Sequence, residues 1–173
     1  HQLIQDEFSG LDVLVCANLP YYITSPVIMK LLEEKLPVES LTVMVQKEAA
    51  VRICAASGTR ACGAVSVAVQ YYSQPQILFD VPRDCFFPAP NVDSAVIRLN
   101  IRKEPPVKLE TEEKQFFKLV KAAFGQRRKT VLNSLNTGLG KSKEELSAAL
   151  QQAGIEPTAR AEQLTMEQFG TLC

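Results

Sequence analysis

Hydrophobic and polar positions follow two different rhythms along this chain. Up to Ile101, short apolar runs alternate with amphipathic stretches. Beyond Val107, nearly every apolar residue recurs at helical spacing. Leu11-Asp12-Val13-Leu14-Val15-Cys16-Ala17 is nearly continuous in apolar residues and predicts a fully buried strand over 11–17. Residues 25–35 carry Val27, Ile28, Leu31 and Leu32 on one stripe and predict a helix, with Ser25 as its cap, Pro26 in its first turn and Pro37 beyond its end. A second buried strand is predicted over 41–46. A helix over 47–56 follows, with Val51 and Ile53 inward and Gly58 after it. Residues 65–72 fit a strand through Val65, Val67 and Val69, and equally fit a helix through Val65, Ala68, Val69 and Tyr72. Residues 76–81 and 93–101 predict two more strands, the second with Ala95, Ile97 and Leu99 on one face. Strand–helix–strand–helix order predicts a parallel, Rossmann-like α/β sheet, and the later hairpin-like pair makes it mixed. The first ten residues are polar and mixed.

Lys103-Glu104-Pro105-Pro106-Val107 is a linker signal, so domains are expected over 1–103 and 104–173. The second is predicted to be all helix. Thr111 would cap a helix through 124, with Phe116, Phe117, Val120 and Phe124 inward and Lys114, Lys118 and Lys121 opposite. A second helix is expected to hold Arg127, Arg128, Lys129, Val131, Leu132 and Leu135 and to end near Gly138. Ser142 with Glu145 would cap a third that Gly154 closes, and Thr165 with Gln168 a short last one.

No apolar run approaches the ~18 residues of a membrane span, and no charged-then-apolar signal segment opens the chain. Five cysteines without a C-x-x-C pair and a single histidine argue against a metal site and for reduced thiols, which points to the cytoplasm. Net charge is zero, but its distribution is uneven. Eight basic residues and no acid lie between Lys114 and Lys143. Such a window is either a solvated helix face or a footprint for a polyanion.

The strand over 11–17 runs straight into Asn18-Leu19-Pro20-Tyr21. A strand end that faces a helix start is where open α/β sheets bind ligands. Asn18 offers a carbonyl acceptor, and Pro20 removes an amide donor and extends Leu19. Two acceptors side by side suit an exocyclic amine such as N6 of adenine, and Tyr21 offers a face on which the base could stack. A plain proline turn with a capping asparagine is the alternative. In Cys85-Phe86-Phe87-Pro88-Ala89-Pro90-Asn91, two prolines stiffen a loop that could hold Phe86 or Phe87 out as a platform.

Four ordered segments resemble the ribosomal RNA adenine N6,N6-dimethyltransferases. They are Asn18 to Pro26, Met44-Val45-Gln46-Lys47-Glu48, Phe86 to Val96, and Phe124 to Leu135. The last, with Arg160 to Thr165, favours the small-subunit branch over the antibiotic-resistance branch that acts on large-subunit RNA. Asn91 stands where the family more often has lysine. The resemblance implies methyl transfer from S-adenosylmethionine to N6 of two adjacent adenines near the 3′ end of small-subunit RNA, during ribosome biogenesis. It implies Asn18, Leu19, Pro20, Tyr21 and Phe86 as catalytic residues, with Asn18 also at the methyl donor. Tyr22, Lys47, Arg127, Arg128 and Lys129 are implied as RNA contacts.

The family's glycine-rich donor turn has no counterpart before Asn18. The sequence therefore resembles the family's C-terminal two-thirds, cut after the third strand. It is expected to be inactive alone and to leave strand 11–17 with an open edge, exposed or paired with a second copy. A non-catalytic RNA-binding module and a DNA adenine methyltransferase are the competing functions. The intact asparagine motif opposes the first, and Leu19 with the basic helical tail opposes the second.

Overall fold

A computed structural model describes residues 2–173. It divides into two compact units, residues 1–54 with 72–104, and residues 55–71 with 105–173. The chain passes between them for the last time at Glu104–Pro105, inside the proline linker. Residues 55–71, expected from the sequence to lie in the first domain, group with the second unit.

The first unit is built on a four-stranded mixed sheet of order β1-β2-β4-β3, from β1 (Leu14–Asn18), β2 (Ser40–Gln46), β3 (Ser73–Val81) and β4 (Ser94–Ile101). β1 runs parallel to β2, and β4 runs antiparallel to both β2 and β3. Leu41, Val43 and Val45 pair with Leu99, Ile97 and Ala95, and all six are buried. This shared face is the core. α2 (Thr24–Glu33) buries Ile28 and Leu32, and α3 (Lys47–Ile53) packs on β2, β3 and β4 through Ala50 and Ile53. The opposite face, with Thr42, Met44, Val96 and Arg98, is only half-buried.

β1 is not the fully buried strand its composition suggests. It pairs with β2 alone, at an edge of the sheet, and Leu14 is 61% exposed. Apolar content reports what a strand can bury; neighbours decide what it does bury. β3 is the other edge, starts earlier than predicted, and accommodates Pro75, whose missing amide is tolerated on an edge strand. Val51 points outward, 48% exposed, because Ala50 and Ile53 hold the inward face at i, i+3 spacing. α1 (Gln2–Glu7) buries no residue, and α2 starts at Thr24, so Ser25 lies inside the helix instead of capping it.

The ambiguous segment is a helix, α4 (Ala64–Tyr72), with Gly63 N–H donating to Ser66 Oγ at 2.9 Å in its first turn. Val67, Ala68, Val69, Tyr71 and Tyr72 are all buried, which explains why neither apolar period dominates. In the second unit Tyr71 meets Phe116 and Phe117, with ring centroids 5.3 and 5.2 Å away. The other helices are α5 (Glu113–Ala123), α6 (Val131–Leu139), α7 (Lys143–Gln152) and α8 (Met166–Leu172). Phe116, Val120, Leu135, Leu150 and Phe169 form their core. Ser142 accepts the Glu145 amide, and Thr165 and Gln168 form a full reciprocal cap, as their spacing predicts. Thr111 does not cap α5; its Oγ1 lies 2.7 Å from Cys173 Sγ, and Glu112 takes the cap position.

α5 and α6 approach closely at Gly138. A Cβ built there would lie 2.7 Å from Ala122 Cβ and 3.0 Å from Ala122 Cα. Gly138→Ala therefore has no flexible atom to push aside. It is expected to cost about 1–3 kcal/mol, read as a lower urea midpoint at an unchanged slope.

Candidate functional site

At the C-terminal end of β1 the chain makes a rigid corner. Pro20 leads into a single 3-10 turn, Tyr21–Ile23, and α2 follows at once. The Pro20 carbonyl accepts both the Ile23 amide at 3.1 Å and the Thr24 hydroxyl at 3.2 Å. Thr24 is buried, so the corner is pinned from inside. With Pro20 so occupied, the backbone acceptor of this turn that can serve a ligand is the Leu19 carbonyl. Asn18 is exposed as the last residue of β1, and its side chain makes no hydrogen bond among the described residues.

Asn18, Leu19, Pro20 and Tyr21 line an open cleft of about 400 Å³ with Phe86, Phe87, Pro88 and Pro90. That volume lies within the range of small-molecule sites. The two segments are 65 residues or more apart in sequence, and the sheet brings them to one rim. Phe86 is half-buried, whereas Phe87 is fully exposed. The platform is thus a fixed ring with a free ring beside it. The Tyr21 hydroxyl lies 2.6 Å from Ser94 Oγ, and Tyr22 projects into solvent, 85% exposed.

The basic residues singled out from sequence fall in two settings. Lys47 opens α3 and donates to Asp80 Oδ2 at 2.6 Å, both side chains half-exposed. This bond and the charge of Asp80 hold the Lys47 pKa above its ordinary value; desolvation opposes them and the charge of Asp93 adds to them. On the lysine side the pairing is therefore complete below the ordinary value near 10.5 and is lost as pH rises through the elevated one. Arg127, Arg128 and Lys129 are exposed and have no acidic partner among the described residues. They do not lie on a helix, as their spacing suggested, but in the turn before α6, whose cap is Thr130. Lys114, Lys118 and Lys121 lie exposed along α5. Lys141 is matched by Glu145.

Sequence reasoning passed over Thr24, Asp80 and Ser94. The local signal for Ser94 was a small hydroxyl residue opening a largely apolar strand. No group of three or more His, Cys, Asp or Glu able to hold a metal occurs among the described residues. The single Gly-x-Gly, Gly138-Leu139-Gly140, packs α6 on Ala122 and then closes the helix at φ 69°, so it is structural.

An α/β sheet with an asparagine-aromatic cleft at its rim defines a class, and the comparisons with known proteins place the chain within it. A solved dimethyladenosine transferase from Plasmodium falciparum superposes with a TM-score of 0.75 at 25% identity, covering 95% of this chain and 66% of that one. The 23S rRNA methyltransferase ErmE superposes with a TM-score of 0.67 at 25% identity, covering 96% and 68%. The mixed sheet is accordingly part of a Rossmann-like methyltransferase fold.

The model of the family "Ribosomal RNA adenine dimethylase" matches residues 5–173, and the chain belongs to that family. Proteins called ribosomal RNA small subunit methyltransferase A are 54% identical in Alkaliphilus oremlandii and 51% identical in Geobacillus sp. (strain WCH70). Both matches cover 99% of this chain, which spans 60% of each relative's length.

Two cysteines close in sequence to the cleft-lining segments are exposed, Cys16 on β1 and Cys85 next to Phe86. Burial pushes the Cys54 thiol up to about 11 and raises that of Cys62 as well. Because the thiolate is the reactive form, iodoacetamide at pH 8 is expected to modify Cys16 and Cys85 first. Cys54 should lag by about 100-fold and Cys62 should lag as well, read by peptide mass spectrometry over a time course.

Proposed function

We propose that the full-length protein carrying this chain transfers methyl groups from S-adenosylmethionine to N6 of two adjacent adenines near the 3′ end of small-subunit ribosomal RNA. This is a cytoplasmic step of ribosome biogenesis. The chain supplies the acceptor side of the reaction and the RNA contacts. The observation that carries this reading is the open cleft in which an unpartnered Asn18 side chain stands beside Leu19, Tyr21 and Phe86.

The nitrogen of an adenine amino group is a poor nucleophile because its lone pair is delocalised into the ring. Asn18 Oδ1 and the Leu19 carbonyl accept its two N–H bonds. That draws the nitrogen toward a tetrahedral form and turns its lone pair outward. Tyr21 stacks one face of a flipped-out base and Phe86 the other. Pro20 contributes rigidity, since its own carbonyl is taken within the turn. No strong base is required, because the amine becomes acidic only as it is alkylated. The rate gain is positioning by dipoles that need not reorganise. When bound, S-adenosylmethionine supplies the methyl group; Asn18 is the residue of this chain expected to touch it.

Arg127, Arg128 and Lys129 hold RNA phosphates, and Tyr22 adds an exposed ring for an unstacked base. Lys47 engages a phosphate only by exchanging it for Asp80, so its contribution is smaller than that of the unpaired cluster.

In the full-length protein, Asn18→Ala is expected to slow single-turnover methyl transfer about 100- to 1,000-fold with RNA affinity unchanged. An unaltered rate would remove the enzymatic assignment. Replacing Arg127, Arg128 and Lys129 with alanine should weaken RNA binding and flatten its dependence on salt. The log–log slope should fall by about 0.7–0.9 for each phosphate that is no longer neutralised. The chain alone should show no micromolar heat of binding with S-adenosylmethionine in calorimetry.

A further inference from the structure

Asp93 and Ser94 stand where the segments lining the cleft converge. Ser94 is fully buried, and its Oγ is 2.6 Å from the Tyr21 hydroxyl. The Asp93 carbonyl accepts the Lys47 amide at 3.0 Å, and its carboxylate accepts the Arg83 amide at 3.0 Å. Arg83 opens the 3-10 turn, Arg83–Cys85, that delivers Phe86. Two consecutive residues thus tie the corner after β1, the end of β2 and the aromatic loop to the start of β4. β4 is an interior strand, with Ser94 paired to Gln46 on one side and Val81 on the other.

We propose that Ser94 is a positioning residue for the target adenine, acting through Tyr21. The inference rests on the acceptor-cleft reading above and adds to it the device that orients the stacking ring. A tyrosine ring rotates about a broad terminal torsion, and nothing in a short surface turn fixes its tilt. A hydrogen bond at the phenolic oxygen holds the ring at the end farthest from its backbone. Because the bond ends on a buried serine of an interior strand, the plane of Tyr21 is referenced to the sheet and not to its own turn. The Leu19 carbonyl and Asn18 are referenced to the same sheet through β1. Base-stacking and amine-accepting groups therefore share one rigid frame. Removing the hydroxyl bond leaves the cleft and its apolar surface in place but lets the base tilt away from the attack line. The effect falls on the chemical step more than on RNA affinity, since small misplacements cost rate steeply.

The test is a double-mutant cycle in the full-length protein, with Tyr21→Phe, Ser94→Ala and the double variant. Single-turnover methyl transfer is measured at saturating donor and RNA, with RNA affinity measured separately. Each single variant is expected to be about 10-fold slower, the double no slower than either single, and RNA affinity within about 2-fold of the parent. Losses that multiply in the double variant, or a Tyr21→Phe rate equal to the parent, would overturn the proposal. If Ser94→Ala does not fold, Tyr21→Phe removes the same bond from its half-buried side and its rate decides. Asn18→Ala run in the same assay separates the two readings. A parent-like Asn18→Ala rate removes the acceptor cleft itself. A collapsed Asn18→Ala rate beside a parent-like Tyr21→Phe rate removes only the role of Ser94.

Discussion

The register between β2 and β4 is the constraint on which everything at the cleft depends. Leu41, Val43 and Val45 face the same side as Leu99, Ile97 and Ala95, and a slip of one residue would turn one of these sets away from the core. The same register sets Ser94 beside Gln46, one residue before Lys47, and β1 against β2 sets Asn18 beside Met44. Core packing in the middle of the sheet thus decides which polar groups meet at its rim. The residues that do this bear no chemistry themselves.

At that rim, rigidity and openness are divided between two segments. The corner after β1 is over-determined. Pro20 limits the backbone, Ile23 and Thr24 saturate its carbonyl, and Ser94 holds Tyr21. The aromatic loop opposite is anchored at its base by Asp93 on the Arg83 amide, while Phe87 at its tip is free. One wall of the cleft is therefore fixed and the other accessible. The basic residues divide in a similar way. Lys47 is satisfied within its own unit by Asp80, whereas Arg127, Arg128 and Lys129 stand in a turn without acids. Cations left unpaired in the folded protein give up the least when they meet phosphate.

Much of this was legible in the linear sequence because it is encoded locally. The Asn18 to Tyr21 corner, the proline-stiffened aromatic loop, and the caps at Ser142 and Thr165 each depend on neighbours within a few residues. Such signals survive without knowledge of the fold. Where the local signal misled, a distant partner had decided the outcome. Val51 lost the inward position to Ala50. Thr111 turned to Cys173 instead of capping α5. Residues 65–72 carried two periods because that helix is buried on most sides.

By itself the sequence determined most of the strand and helix order outside residues 65–72, the four family motifs and the candidate residues for accepting an amine or stacking a base. Those follow from side-chain chemistry and short-range spacing. Only the tertiary structure decided that Lys47 is held by Asp80, that Leu19 and not Pro20 offers the free carbonyl, and that Ser94 reaches Tyr21. Each of these is a competition between possible partners. Its outcome depends on which strands lie side by side, a property that no single stretch of chain contains.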